Sequence, residues 1–511
     1  MRSVYIDGIG MTRFGKDPRP IVEIFCQAGQ EALAASDTDR VEALYIGSMN
    51  PEEFTGESNI ASQIAEALGL TGIPSMRVET ASSAGAAALQ AGFQAIASGY
   101  YRRVLVLGGE KMTHLSTSAT TRILAEVIDK QERLCGATMP ALAAMITEKY
   151  RQKFRLSQSR LENMLCSVAL KNHLNGSHNS LAQFQKAITR ETYLASKLIA
   201  TPLRLYDCAP ITDGAAAVLL TSEKTDVRLA GIGQGTGPLS LRERDTFASF
   251  PATRIAAARA YQMAEISPQG IDFAEVHDAF TSFEIITSED LGFFPAGKGG
   301  EAAVQGQTSL EGSLPINPSG GLKARGHPVG ASGLAQVVEV TKRLRGQARD
   351  KREFKRGLAQ STGGLGTNNF VTILERMDSP AAAAVEGSTS SSSPSPTASP
   401  VLVPKKTASP ALMSDEGQIE TFTILYVTPD GFLPPVALAL VRDRNGRLLM
   451  AQGEDNVQLK IGREVYLRRI DELYLFTVKS QLQKVQESLK RLLRRGVAAS
   501  SKEEPPLEKK L

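Results

Sequence analysis

VETASSAGAAALQAGFQAIASG, residues Val78–Gly99, reads as the end of a strand, a tight turn of small residues and then a buried helix. Ser82 stands at the turn. A side chain there meets backbone N–H groups and the positive end of a helix dipole. Such a place ionises a cysteine, whose ordinary pKa is about 8.5. It does not ionise a serine alcohol, which needs a base beside it. On these residues alone Ser82 is either an activated nucleophile or an N-cap serine.

Working outward, the same pattern returns. The small-residue turn feeding a helix is repeated in GHPVGASGLAQVVEVTKRL, from Gly326 to Leu344. VYIDGIG at Val4 is echoed by VRLAGIG at Val227, and each is followed by a helical stretch, IVEIFCQAGQEALAAS and TRIAAARAYQMAEI. Short apolar runs come next, VEALYIGS and FAEVHDAF. Each half ends in strands: RRVLVLGG and DGAAAVLLTS in the first, FKRGLAQSTGGLGTNNFVTILE in the second. A duplicated α/β unit follows, with residues 1–224 and 225–377 as its halves. Its loops face a cleft between the copies, where strand C-ends and helix N-ends favour ligands.

The chain continues past this pair, and its 511 residues exceed what one core organises. Residues 378–415 are mostly Ala, Ser, Pro and Thr, a composition expected of a disordered linker. Residues 416–480 hold short β-rich runs split by Pro, Gly, Asn and Asp, which suit a small barrel of about five strands. Residues 481–511 read as a basic amphipathic helix and a charged tail. The net charge of +4 implies no obligatory polyanion partner, so nucleic acid is not expected. Cys26, Cys135, Cys166 and Cys208 are scattered without a C-x-x-C pair. That fits a reducing cytoplasm and supplies no metal ribbon. No run resembles a signal peptide or reaches membrane-spanning length.

Two histidines carry the chemical signal. NPSGGLKARGHPVGASG, Asn317–Gly333, is a glycine-dense loop entering a helix near Ser332. Its Asn317, Gly320, Gly321, Gly326, Gly330 and Ser332 form a candidate substrate-binding loop, because glycine lets a backbone approach a ligand closely. His327 sits inside it as a candidate general base. In EVHDAFTSFE, His277 begins the turn after an apolar strand ending at Val276, a place where catalytic groups gather.

Several of these motifs in this order resemble the thiolase superfamily, most closely its sterol-carrier-protein-type and archaeal-type branch. The resemblance covers residues 1 to about 376 and rests on GHPVGASG, NPSGG, HDAFTSFE, LRLYDCAPITDGAAAVLL, VALKNHLNGSHN and LVLGGEKM. TFTILYVTPDGFLPPVALALV and LKIGREVYLR are similar to the OB-fold domain that accompanies such proteins, although the zinc ribbon often preceding it is missing. The resemblance implies a duplicated five-layered α/β/α/β/α fold, a homodimer or higher oligomer, and a coenzyme A thioester entering a tunnel between the halves. No further cofactor and no metal are implied.

In the family one cysteine takes the acyl group, the GHP histidine activates it and a second cysteine moves the proton. Here the first cysteine's place falls on Ser82. The second falls on Gln360 or Ser361, the GG pair favouring Gln360. Cys208 reads as structural. His327, His277 and Ser82 are then the catalytic candidates, with Gly363 and Gly364 as backbone oxyanion donors. The reading is an acyltransferase-type enzyme of Claisen or retro-aldol chemistry without the nucleophilic cysteine. The alternative is a non-catalytic acyl-CoA-binding scaffold beside a second acyltransferase or synthase subunit.

Overall fold

The computed structural model of the chain describes residues 1–36, 40–348, 352–377, 415–429, 431–453 and 459–479. The expected linker and the basic helix and tail lie outside these residues. Among the described residues no helix is long and apolar enough to cross a membrane.

The first half contains β1 (Tyr5–Met11), β2 (Ala43–Gly47), β3 (Ser75–Val78) and β4 (Arg103–Glu110). A small hairpin, β5 (Leu198–Ala200) and β6 (Leu203–Arg204), precedes β7 (Gly214–Thr221). The second half contains β8 (Val227–Thr236), β9 (Phe273–Glu275), β10 (Arg356–Gly363) and β11 (Asn368–Arg376). The strand order β3-β2-β4-β7-β1-β8-β11-β10-β9 repeats outward from the seam between β1 and β8, β7 matching β11, β4 matching β10 and β2 matching β9. The seam is short, with Tyr5 opposite Arg228 and Ile6 opposite Val227. Ile316 bridges Ala274 in parallel at the far edge, where a fifth strand of the second half would lie.

The repeated GIG motif has a packing reason. A Cβ on Gly8 or Gly10 would lie 1.9 or 2.1 Å from the carbonyl oxygens of Ala32 and Ala28. In the second half a Cβ on Gly231 or Gly233 would lie 2.2 or 2.1 Å from those of Ala260 and Ala256. Each glycine pair lets an alanine-rich helix, Ile21–Ala34 or Pro251–Ala264, lie directly on its strand. The helices Ala84–Ala97 and Ser332–Leu344 are almost wholly buried between the halves. They pack against each other as the middle of five layers, so the expected duplicated thiolase-type architecture is what the chain adopts. A Cβ on Gly85 would come within 2.5 Å of the Gly330 carbonyl, so the two turns that open these helices are in contact.

The C-terminal region holds β12 (Glu416–Leu425), β13 (Val436–Asp443), β14 (Leu448–Gly453), β15 (Glu464–Ile470) and β16 (Leu473–Val478). Their pairing runs β12-β13-β14-β16-β15 and returns to β12, with only β14 and β16 parallel. This closed five-stranded barrel fits the OB-like expectation. It docks on the body through its first strand: Leu425 pairs with Ala200, and Thr421 Oγ1 donates to the Met145 carbonyl at 3.2 Å. Leu425, Val436, Leu438 and Met450 share one apolar cluster with Leu142, Met145 and Ala200 of the body. Lys149 and Glu420 close the edge at 2.9 Å.

Candidate active site

The turn after β3 is held by its own polar side chains. Ala81 takes the left-handed conformation, φ 55°, and its N–H donates to the Glu79 carboxylate. Ser83 Oγ donates to the Thr80 carbonyl at 2.7 Å. Ser83, not Ser82, occupies the N-cap position of the Ala84–Ala97 helix. The N-cap reading of Ser82 is therefore displaced by one residue. Ser82 is nearly buried, yet it lines a cavity of about 1030 Å³.

His327 lines the same cavity from the second half. Its N–H donates to Thr212 Oγ1 at 2.9 Å, and its Nδ1 lies 2.7 Å from Ser332 Oγ. Ser332 gives its single hydroxyl proton to the Pro328 carbonyl at 2.8 Å. Its oxygen must then accept from Nδ1–H, which leaves the Nε2 lone pair of His327 for a base role. This tautomer is assigned from the hydrogen-bond network. Ser82 and His327 share no hydrogen bond: Ser82 is not polarised in the manner of a serine hydrolase.

His277 follows β9 and also lines the cavity. The two imidazole centroids are 5.1 Å apart, edge to face at 88°. The His277 N–H donates to Gln360 Oε1 at 3.0 Å, and Gln360 Nε2 donates to Thr362 Oγ1 at 2.8 Å. Gln360 thus fixes the His277 backbone from the position assigned to the second cysteine. Ser361 Oγ and His277 Nδ1 are buried without a hydrogen-bond partner.

Both rings are held neutral. Burial pushes the His327 pKa down to about 3, and the positive field of Arg325 adds to the effect. His277 is likewise far below its ordinary value, through burial, then His327 and Arg325. Arg325 is itself buried, 3.5 Å from Glu275. Burial raises Glu110 to about 7 even though the Met49 N–H and Ser48 hydroxyl donate to it.

The loop residues fall into two groups. Asn317 accepts from the Val276 N–H at 2.8 Å and donates to Glu284 at 2.8 Å. A Cβ on Gly320 would meet Gly176, one on Gly321 the Asp278 carboxylate, one on Gly326 Thr212, and one on Gly330 the Gly109 carbonyl. These residues and Ser332 pack the loop into the protein. The loop's cavity-lining side chains are Lys323, His327 and Val329. Gly364 lines the cavity, whereas Gly363 packs on the Thr80 carbonyl and Ser83 Oγ.

Sequence reasoning passed over Lys323 and Thr212. Lys323 is buried and donates to the Cys208 carbonyl at 2.5 Å. Burial lowers its pKa, opposed by Cys208, Asp207 and Asp278. Its place within NPSGGLKARGHP was the available signal. Cys208 lines the cavity with its thiol pushed up to about 12 by burial, far from a thiolate. Among the described residues no cluster of three or more His, Cys, Asp or Glu is placed to hold a metal ion.

Residues 4–224 match the family model for the thiolase N-terminal domain, and residues 233–376 match the thiolase C-terminal domain-like model. An acetyl-CoA acetyltransferase of Methanothermobacter thermautotrophicus is 39% identical over 389 residues, 74% of this chain and 100% of that protein. A sterol carrier protein 2 of Oryctolagus cuniculus is 32% identical over 400 residues, 73% of this chain and 72% of that one. A solved monomeric SCP2-thiolase like protein type 1 from Mycobacterium smegmatis superposes with a TM-score of 0.69 at 16% identity. That superposition covers 93% of this chain and 99% of the other, well past residue 376.

Proposed function

Since the chain belongs to the thiolase family, we propose that it makes or breaks a carbon–carbon bond beside the carbonyl of an acyl-CoA thioester without a covalent acyl-enzyme. The observation that carries this reading is the pair of neutral imidazoles, 5.1 Å apart, lining one cavity with Ser82 and Gly364. In the cleavage direction His327 Nε2 takes the proton of a 3-hydroxyl group. The Cα–Cβ bond breaks, a carbonyl product leaves, and the electron pair passes into the thioester as an enolate. The same proton, returned to Cα, gives the shortened acyl-CoA. His277 and backbone N–H groups at Ser82 and Gly364 are the donors for the enolate oxygen. Preorganised donors of this kind contribute about 2.7–4 kcal/mol each. A base whose conjugate acid titrates near 3 is weak, and the enolate charge forming beside it raises its proton affinity.

Purified full-length protein is to be offered 3-hydroxyacyl- and 3-ketoacyl-CoAs of graded length. Turnover is expected, with His327→Ala lowering it by about 100- to 10,000-fold. Ser82→Cys is expected to gain a mass-detectable acyl adduct. Absence of turnover across the panel, or turnover indifferent to His327→Ala, rejects the proposal. The missing hydrogen bond between Ser82 and His327 favours a second reading, a non-catalytic acyl-CoA-binding subunit; binding without turnover selects it.

A further inference from the structure

We propose that the C-terminal barrel is part of the ligand site, with Val427 as a specificity-determining wall against an apolar segment of a CoA thioester. This rests on the acyl-CoA reading of the cavity. Val427 lines the same cavity as Ser82, His277 and His327, although it comes from the loop after β12. Its place there is fixed from both sides. The Tyr426 N–H donates to the Ile199 carbonyl at 3.0 Å, and the Thr201 N–H donates to the Ile424 carbonyl at 3.1 Å. Further along the loop, Thr428 Oγ1 donates to the Phe432 carbonyl at 2.7 Å, and the Phe432 ring covers Gly136 so closely that a Cβ there would come within 2.9 Å. Cys135, next to Gly136, donates its thiol to the Met450 carbonyl at 3.3 Å. Body and barrel are thus joined on either side of Val427.

The chemistry of the wall defines what it takes. Ile199, Met139, Leu205 and Phe280 share the cavity lining with Val427. The volume of about 1030 Å³ is at the top of the roughly 300–1,000 Å³ range for drug-sized ligands, far more than an acetyl group fills. A methylene-rich segment matches this surface through apolar burial. Two parts of an acyl-CoA can supply one, the acyl chain and the pantetheine arm.

The test is equilibrium binding to the full chain of CoA, acetyl-CoA and octanoyl-CoA, for wild type, Val427→Trp and Leu433→Trp. Leu433 is 90% exposed on the same loop and serves as the control. Circular dichroism and melting confirm that each variant is folded. Val427→Trp is expected to weaken binding by about tenfold or more, while Leu433→Trp leaves it unchanged. Weakening confined to octanoyl-CoA places the acyl chain on the barrel; equal weakening of all three places the pantetheine arm there. A folded Val427→Trp that binds all three like wild type overturns the proposal and leaves the acyl-CoA reading standing. Failure of the wild type to bind any of them removes both. If Val427→Trp does not fold, Val427→Ala takes its place, and unchanged affinities for that variant overturn the proposal.

Discussion

The turns at Ser82 and His327 occupy equivalent places in the two halves, yet they are built for different work. The first polices its own geometry: the Ala81 N–H donates to Glu79, Ser83 donates to Thr80, and Ser82 is left facing the cavity. The second is wired to its surroundings, with Thr212 on the His327 backbone, Ser332 on its ring, and burial and then Arg325 depressing its pKa. Duplication supplies two helix entries at one cleft. Chemistry then needs only one of them equipped with a titratable ring, while the other offers backbone donors and space.

The contact between the turns is the first place to break this contrast. Gly85→Val drives a side chain into the Gly330 carbonyl, 2.5 Å from the ideal Cβ. The expected cost is about 3 kcal/mol or more, read from the denaturation midpoint; an unchanged midpoint would mean the turns are not keyed together. A smaller effect is expected at the equipped turn. Ser332→Ala removes the acceptor of the His327 Nδ1 proton and should lower kcat by about 10- to 100-fold, the range for groups that orient a metal-bound imidazole. KM should move little and Ser332→Thr should recover part of the loss. Equal damage to KM and kcat, with no rescue, would make Ser332 merely structural.

A third test is by acid. His173 and His327 titrate near 3 in the folded chain and near 6.5 when unfolded. Between those values the unfolded chain binds more protons, so stability falls as pH drops from about 6.5 toward 3. Each such histidine adds up to about 1.4 kcal/mol per pH unit. His327→Phe should flatten this slope and Ser82→Ala should not, as urea midpoints across that range will report.

Much of this was legible in the sequence because it is local and periodic. The GIG repeats, the small-residue turns and the two histidines each announce themselves within a dozen residues. Both histidines lie in the second half, and their approach to 5.1 Å comes from the packing within that half, not from the duplication. What the sequence did not disclose depends on chain segments far apart. Thr212 reaches His327 from 115 residues away, and nothing near residue 212 marks it as a partner. Gln360 gave no hint that its amide would hold the His277 backbone 83 residues away. The glycines of the Asn317–Gly333 loop suggested ligand approach, but what they approach closely is the protein itself, backbone at Gly320 and Gly330 and side chains at Gly321 and Gly326. Spacing statistics do not separate those two uses of a missing Cβ.

The barrel's seat on the body, through the Leu425–Ala200 pairing and a shared apolar cluster, makes one cavity wall an appendage of the same polypeptide. A pocket finished by a separate subunit empties on dilution, because its last wall diffuses away. Here that wall is tethered, its effective concentration does not depend on how much protein is present, and the pocket keeps its shape in a single molecule.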